Sequence, residues 1–281
     1  FIRVKGLFSP KGSLFYGWWI VAMASFVMYL GSLFWMQSYG AYTVVLNREF
    51  GWSMTLLSGA YVLTRVESGL LGPIQGWMVD RYGPRVIVSI GLLMLGLGLI
   101  WLTQVETLPV YYAVVFLISL GISLGGFQTL MVSIVNWFQR HRTKAVALTQ
   151  LGHCLGGLSI PMLAYVLEQY GWRIMAMVSG FAVILLGVPL VQGIRHRPEE
   201  KGEVIDGELA PSKTSNAQQA NSLMFPVSWQ QALKTKAFWF ISAGHGIALL
   251  SVSTVLVHLI PHLTHKLEMG LTDAGTVFSL V

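Results

Sequence analysis

Apolar runs close to or beyond the roughly 20 residues that cross a bilayer recur along this chain. They occupy residues 14–39, 54–79, 86–103, 110–135, 145–167, 172–193 and 237–261, and an eighth begins near Leu271 and reaches Val281. A backbone in lipid must satisfy its own hydrogen bonds, so these runs are read as seven transmembrane helices and the start of another. The mean hydropathy of +0.63 and only 11% charged residues agree with an all-α integral membrane protein. The first run is too long for a cleavable signal peptide, and no small-residue cleavage site follows it. Residue 1 is Phe and the last run has no stop, so the chain is expected to be a fragment of a longer one.

Charge placement orients the helices. If the spans alternate, fourteen of the 18 Lys and Arg residues fall on one side, three (Arg48, Arg173, Lys266) on the other, and Arg65 lies inside a span. By the positive-inside rule the N-terminus is cytoplasmic, in a plasma or inner cell membrane. This placement accounts for the net charge of +6 without a nucleic-acid partner; the lipid bilayer is the expected partner. The single cysteine, Cys154, excludes an intramolecular disulfide.

Three regions follow: a six-helix transmembrane bundle (1–193), a polar cytoplasmic linker (194–235), and the truncated start of a second bundle (236–281). The linker contains the low-complexity stretch PSKTSNAQQANS (211–222) and a segment, 225–236, in which Trp229, Ala232 and Leu233 form a short amphipathic face. Six helices, a linker and further helices are the layout of a two-bundle transporter. Ser53 is placed to cap the second span, Pro109 to open the fourth, and Trp and Tyr cluster at span ends, as interfacial anchors do.

Between the second and third spans lies GWMVDRYGPR (76–85), where three charges meet in a chain otherwise poor in them. It resembles the loop signature of the major facilitator superfamily, roughly G-x-x-x-D-R-x-G-R-R, with Gly76, Asp80, Arg81, Gly83 and Arg85 matching and Pro84 replacing one basic residue. The resemblance implies a twelve-helix fold and a latch in which Asp80 and its basic neighbours engage the other bundle in one access state. Gly76 would permit close helix approach and Gly83 the tight turn. YGWW (16–19), the loop 39–53 and WFQRHRTKAVALTQLGHCLGG (137–157), with Arg140 and Arg142, resemble the monocarboxylate and oxalate–formate branch. This sequence departs from proton-coupled members in having Ser119, Ser123 and Gln128 where many carry a fourth-span Arg, and no Lys in the first span.

Several residues could carry chemistry. Arg65 is costly at mid-bilayer, at ~2.5–3.5 kcal/mol on insertion scales, so it is expected to face protein or water. On a helical wheel Ser58, Tyr61, Arg65, Gly69, Gly72 and Gly76 share a stripe that suits a cavity wall or a close helix contact. Arg65 is then either an anion ligand, its guanidinium matching a carboxylate, or an inter-helix salt bridge. Glu67, about 200° away on the same wheel, is a proton carrier or the partner of a cation in the second bundle. Gln37, Tyr39 and Gln128 are candidate substrate hydrogen-bonders, and His153 and His245 are candidate cavity residues able to titrate near neutrality. In span five Ala145, Gly152, Gly156, Ser159 and Leu163 form a face suited to helix packing. His258, His262 and His265 lack a completing ligand, and Pro261 interrupts their spacing, so no metal site is expected.

No phosphate-binding G-x-x-x-x-G-K-[ST] loop or catalytic triad pattern occurs, so neither an ATP-driven pump nor an enzyme is expected, and no cofactor. The sequence therefore reads as a six-helix transmembrane bundle plus the start of the second bundle of a twelve-helix major facilitator fold. Its expected cargo is a small organic anion, monocarboxylates foremost, coupled to a proton or counter-anion. The alternatives are a drug or sugar carrier, or a transport-inactive receptor or scaffold.

Overall fold

The computed structural model describes residues 15–207, 231 and 233–280, which are helical and contain no strand. The first span comprises α1 (Tyr16–Gly31), a π-helical turn (Ser32–Met36) and α2 (Tyr39–Phe50). Then come α3 (Met54–Tyr82) and α4 (Pro84–Leu102), the second and third spans. The fourth is α5 (Leu108–Gly125) with α6 (Phe127–Trp137), and the fifth α7 (Arg142–Leu158) with α8 (Ile160–Tyr170). The sixth joins α9 (Trp172–Ala182) through a π turn to α10 (Val188–Val191). Beyond the linker lie α11 (Lys236–Lys266) and α12 (Leu271–Ser279). The face of the bundle carrying the start of α1 is called the N side below.

Among the described residues six stretches are long and apolar enough to cross a membrane: Tyr16–Phe50, Pro84–Leu102, Leu108–Trp137, Arg142–Tyr170, Trp172–Val191 and Lys236–Lys266. The remaining expected span, α3, has 29 residues, about 43 Å at 1.5 Å per residue. Arg65, Glu67, Gln75, Asp80 and Arg81 dilute its apolar content and leave it outside that group.

Four spans expected as continuous runs are interrupted. In the fourth, Gly126 is extended (φ −88°, ψ −160°) and separates α5 from α6. The buried Gln75 of α3 repairs this break: its Nε2 donates to the Ser123 carbonyl (2.5 Å) and to Thr129 Oγ1 (2.9 Å). Irregular backbone at membrane depth survives where protein groups re-satisfy it. In the fifth span Pro161 removes a donor at the start of α8, and Ser159 Oγ donates to the Leu155 carbonyl (2.9 Å), which also accepts from Ser159 N–H (3.1 Å). Conversely, α11 was expected to end at Pro261 but runs through it to Lys266, because the proline is buried against α2.

Close backbone contact holds the bundle together. A Cβ on Gly152 of α7 would lie 1.8 Å from the Ser25 carbonyl oxygen of α1, and one on Gly91 of α4 would lie 2.3 Å from the Gly125 nitrogen of α5. Without hydrophobic drive in lipid, such small-residue contacts let dispersion and hydrogen bonds supply the association. The packing face expected on span five is therefore used, against α1.

The first part of the linker is ordered. Residues 194–207 form a strap across the N side, with 3-10 turns at Pro198–Lys201 and Ile205–Gly207. Trp137 Nε1 donates to the Arg195 carbonyl (3.0 Å), Tyr16 N–H to Glu203 (3.0 Å), and the N–H groups of Gln139, Arg140 and His141 to Asp206 (2.7–3.3 Å). The low-complexity stretch 211–222 lies outside the described residues, as do Trp229 and Ala232 of the amphipathic segment; Leu233 is exposed.

Candidate functional site

A cavity of about 550 Å³ opens between α1, α3, the α5–α6 break, α7 and α11. Val27, Met28, Leu92 and Leu95 give it an apolar floor, while Ser32, Ser68, Ser123, Gln128, Gln150, His153 and His245 present polar groups. Among the described residues no Asp, Glu, Lys or Arg lines it. Of the residues expected to bind cargo, the structure gathers Gln128 and His153 from the first six spans and His245 from α11.

The other candidates lie off this wall. Arg65 is exposed and folds back on its own helix: its guanidinium carbon sits 4.9 Å from the Tyr61 ring centre, and Nη2 donates to the Tyr61 hydroxyl. Glu67 is buried against α5; Ser119 Oγ (2.6 Å) and Ser68 Oγ (3.2 Å) donate to its Oε2, and Oε1 has no partner among the described residues. Tyr39 is fully buried, its hydroxyl donating to the Leu57 carbonyl (2.6 Å) and sharing a 3.1 Å bond with Tyr111. Gln37 donates to Ser32 Oγ (2.9 Å) and the His153 carbonyl (2.8 Å), pinning the π turn of span one to α7. Gln150 and Ser68 escaped the sequence reading, and Ser123 entered it only as a residue standing where many members carry a fourth-span Arg. Gln150 stands three residues before His153 on the same helix, a spacing that could have found it.

At the α3–α4 turn Gly83 adopts φ +80°, which a side chain disfavours, and Pro84 opens the next helix. Arg85 forks onto Gln192 Oε1 through Nε (2.8 Å) and Nη2 (2.5 Å), tying the turn to the end of span six. Arg81 stacks on Trp77 and Tyr82 at 5.3 and 5.6 Å. Asp80 is exposed, without a hydrogen-bond or ion-pair partner among the described residues. Close helix approach at Gly76 is not seen: a Cβ there meets nothing within 4 Å, and the same holds for Gly69 and Gly72, so the glycine end of the expected stripe faces open space while Tyr61 is buried. Arg142 Nε donates to the Phe138 carbonyl (3.3 Å), and Arg140 N–H joins the Asp206 cluster.

On the side away from the N side, the two halves of the chain touch. A Cβ on Gly40 of α2 would stand 3.0 Å from the Leu256 carbonyl of α11. Glu168, at the end of α8, accepts from Leu271 N–H (2.6 Å) and Thr272 Oγ1 (2.5 Å), capping α12 with a carboxylate where the helix dipole favours one. Arg173 pairs with Glu49 (2.5 Å) nearby. A second hollow, about 370 Å³, lies here beside His258, His262, His265 and Lys266; no group of metal ligands forms among the described residues. Towards the N side residues 236–255 of α11 are exposed nearly throughout, and burial begins at Leu256.

The family model of the Major Facilitator Superfamily matches residues 20–281. The chain belongs to the Major Facilitator Superfamily. Relatives within it include the fujikurins efflux protein of Gibberella fujikuroi (26% identical, over 65% of this chain and 40% of that protein) and human monocarboxylate transporter 6 (29%, over 55% and 31%). The oxalate:formate antiporter of Oxalobacter formigenes is 24% identical over 77% of this chain and half of that protein. The chain thus spans half or less of these relatives' lengths. The fold is also that of a bacterial homolog of the human lysosomal transporter Spinster, crystallised inward-facing and unoccupied. That match has a TM-score of 0.67 at 14% identity and covers 94% of this chain and 59% of that one.

Proposed function

We propose that the protein is a secondary active transporter that moves a small organic anion, monocarboxylates foremost, by alternating access. The observation that carries this reading is the polar-walled cavity between the first six spans and α11, sealed on one side by the α2–α11 and α8–α12 contacts and open towards the other. The Lys and Arg asymmetry supports a cytoplasmic N side, and on that reading the cavity belongs to an inward-open state in a plasma or inner membrane. Asp80, unpartnered here, is then the half of the latch that engages when the N side closes. Names of the relatives, two of which transport carboxylates, support the cargo class.

A neutral polar solute is the second reading, favoured by the absence of a fixed cation among the described residues of the cavity wall. Thermal melting of the purified protein with formate, lactate, oxalate and xylose separates the two. A ligand at 100 times its Kd adds about 2.7 kcal/mol of stability. Stabilisation by the anions supports the first reading, and stabilisation by xylose alone supports the second.

A further inference from the structure

We infer that His153 and His245 form the charge-compensating pair of the cavity, taking up a proton as a carboxylate binds between the two halves of the chain. This rests on the anion-transport reading above and adds to it the group that couples cargo to proton. The observation is one of exclusion and placement together. α1 and its π turn present Val27, Met28 and Ser32 to the cavity, α3 presents Ser68, α4 Leu92 and Leu95, and the α5–α6 break Ser123 and Gln128. Against that wall the two imidazoles, one from α7 and one from α11, are the only side chains among the described residues that can become cationic. Glu67, on the facing α3, does not line the cavity: its carboxylate lies behind the wall, accepting from Ser119 and from Ser68, and Arg65 is engaged with Tyr61.

The position of His153 is fixed by its neighbours. Ser32 Oγ (3.0 Å) and Gln37 Nε2 (2.8 Å) both donate to its backbone carbonyl, which anchors this turn of α7 to the broken first span. Its ring stays half-buried at the cavity wall, and no hydrogen bond occupies it among the described residues. Gln37 is on this view a positioning residue rather than a ligand.

A carboxylate leaving water for a cavity without a cation loses its solvation uncompensated, which is costly. Imidazole removes that cost because it gains a proton near neutral pH and then donates a charge-assisted hydrogen bond. The step balances as imidazole plus proton plus carboxylate giving an imidazolium–carboxylate pair, and it reverses on release to the other side. Because His245 belongs to the second half, the bound pair spans both halves, so proton and anion together favour their approach. Deprotonation withdraws the donor charge, so affinity falls as pH rises through the titration of the pair.

Titration calorimetry of the purified protein with lactate and oxalate, between pH 5.5 and 8.5 and in buffers of differing ionisation enthalpy, tests this. The expected result is net proton uptake with each anion bound and an affinity that falls by up to about tenfold per pH unit on the alkaline limb. In His153→Gln/His245→Gln, affinity should drop at least tenfold at low pH and lose its pH dependence. His245→Gln, at an exposed position, should lose most of the slope even if the double variant is unstable. His258→Gln, outside the cavity, should leave both unchanged. Anion binding that is independent of pH, or a slope retained in His245→Gln, overturns the histidine pair while leaving anion transport standing. Binding of xylose with no binding of either anion overturns both.

Discussion

Substituting Gly152 probes the contact on which the bundle depends. An alanine Cβ there would lie 1.8 Å from the Ser25 carbonyl oxygen, about half an ordinary van der Waals separation. The obstacle is backbone, which cannot swing aside, so α1 and α7 must part by well over an ångström. Overpacking of this kind costs about 1–3 kcal/mol. Parting the helices also stretches the Gln37 and Ser32 bonds to the His153 carbonyl, at about 1 kcal/mol each. A total near 3–5 kcal/mol is a large share of the ~5–15 kcal/mol that stabilises a typical domain. At roughly 2–4 °C per kcal/mol for a protein of this size, Gly152→Ala should melt about 6–20 °C lower. Gly69→Ala is the matched control: its Cβ meets nothing within 4 Å, so it should gain about 0.5–1 kcal/mol from helix propensity. Melting in detergent, followed by intrinsic fluorescence, reads both. A Gly152→Ala protein that melts with wild type, or a Gly69→Ala protein that melts lower than it, would refute the packing argument.

Asp206→Ala should release the strap, costing about 1–2 kcal/mol as the loss of a helix cap does, and speed hydrogen exchange at Gln139, Arg140 and His141; unchanged exchange there means the strap is not held by this carboxylate. Glu168→Ala should weaken the contact between the halves by about 1–2 kcal/mol, the low end for a charged hydrogen bond because this carboxylate is exposed. Spin labels at Tyr170 and Leu267 should then show a longer, broader distance distribution, and an unaltered one would contradict the clasp. Arg65→Gln should leave lactate affinity within about threefold, whereas loss of a bidentate ligand would cost roughly 30- to 1000-fold.

The spans, the tight turn at Gly83 and the packing face of span five were legible because length, hydropathy and residue spacing are local properties. A helical wheel gave the angle between Arg65 and Glu67 but not which of them faces the interior. That choice was made by Ser119 on another helix, 52 residues from Glu67 along the chain. Gln37 read as a substrate ligand because a polar residue in a span looks the same whether it meets cargo or a broken helix. The strap at 194–207 carries the composition of a linker; its order comes from contacts with residues 58 to 187 positions away, which composition does not encode. His153 and His245 likewise converge only through the arrangement of α7 and α11.

Counterflow in proteoliposomes tests the transport claim most directly. Vesicles containing the purified protein, preloaded with unlabelled lactate, formate or oxalate, are diluted into a trace of the same radiolabelled anion. Transient, saturable accumulation of label above protein-free vesicles is the result expected for a carrier alternating around the cavity. Label uptake equal to that of protein-free vesicles for all three anions, from protein that melts cooperatively, would contradict it.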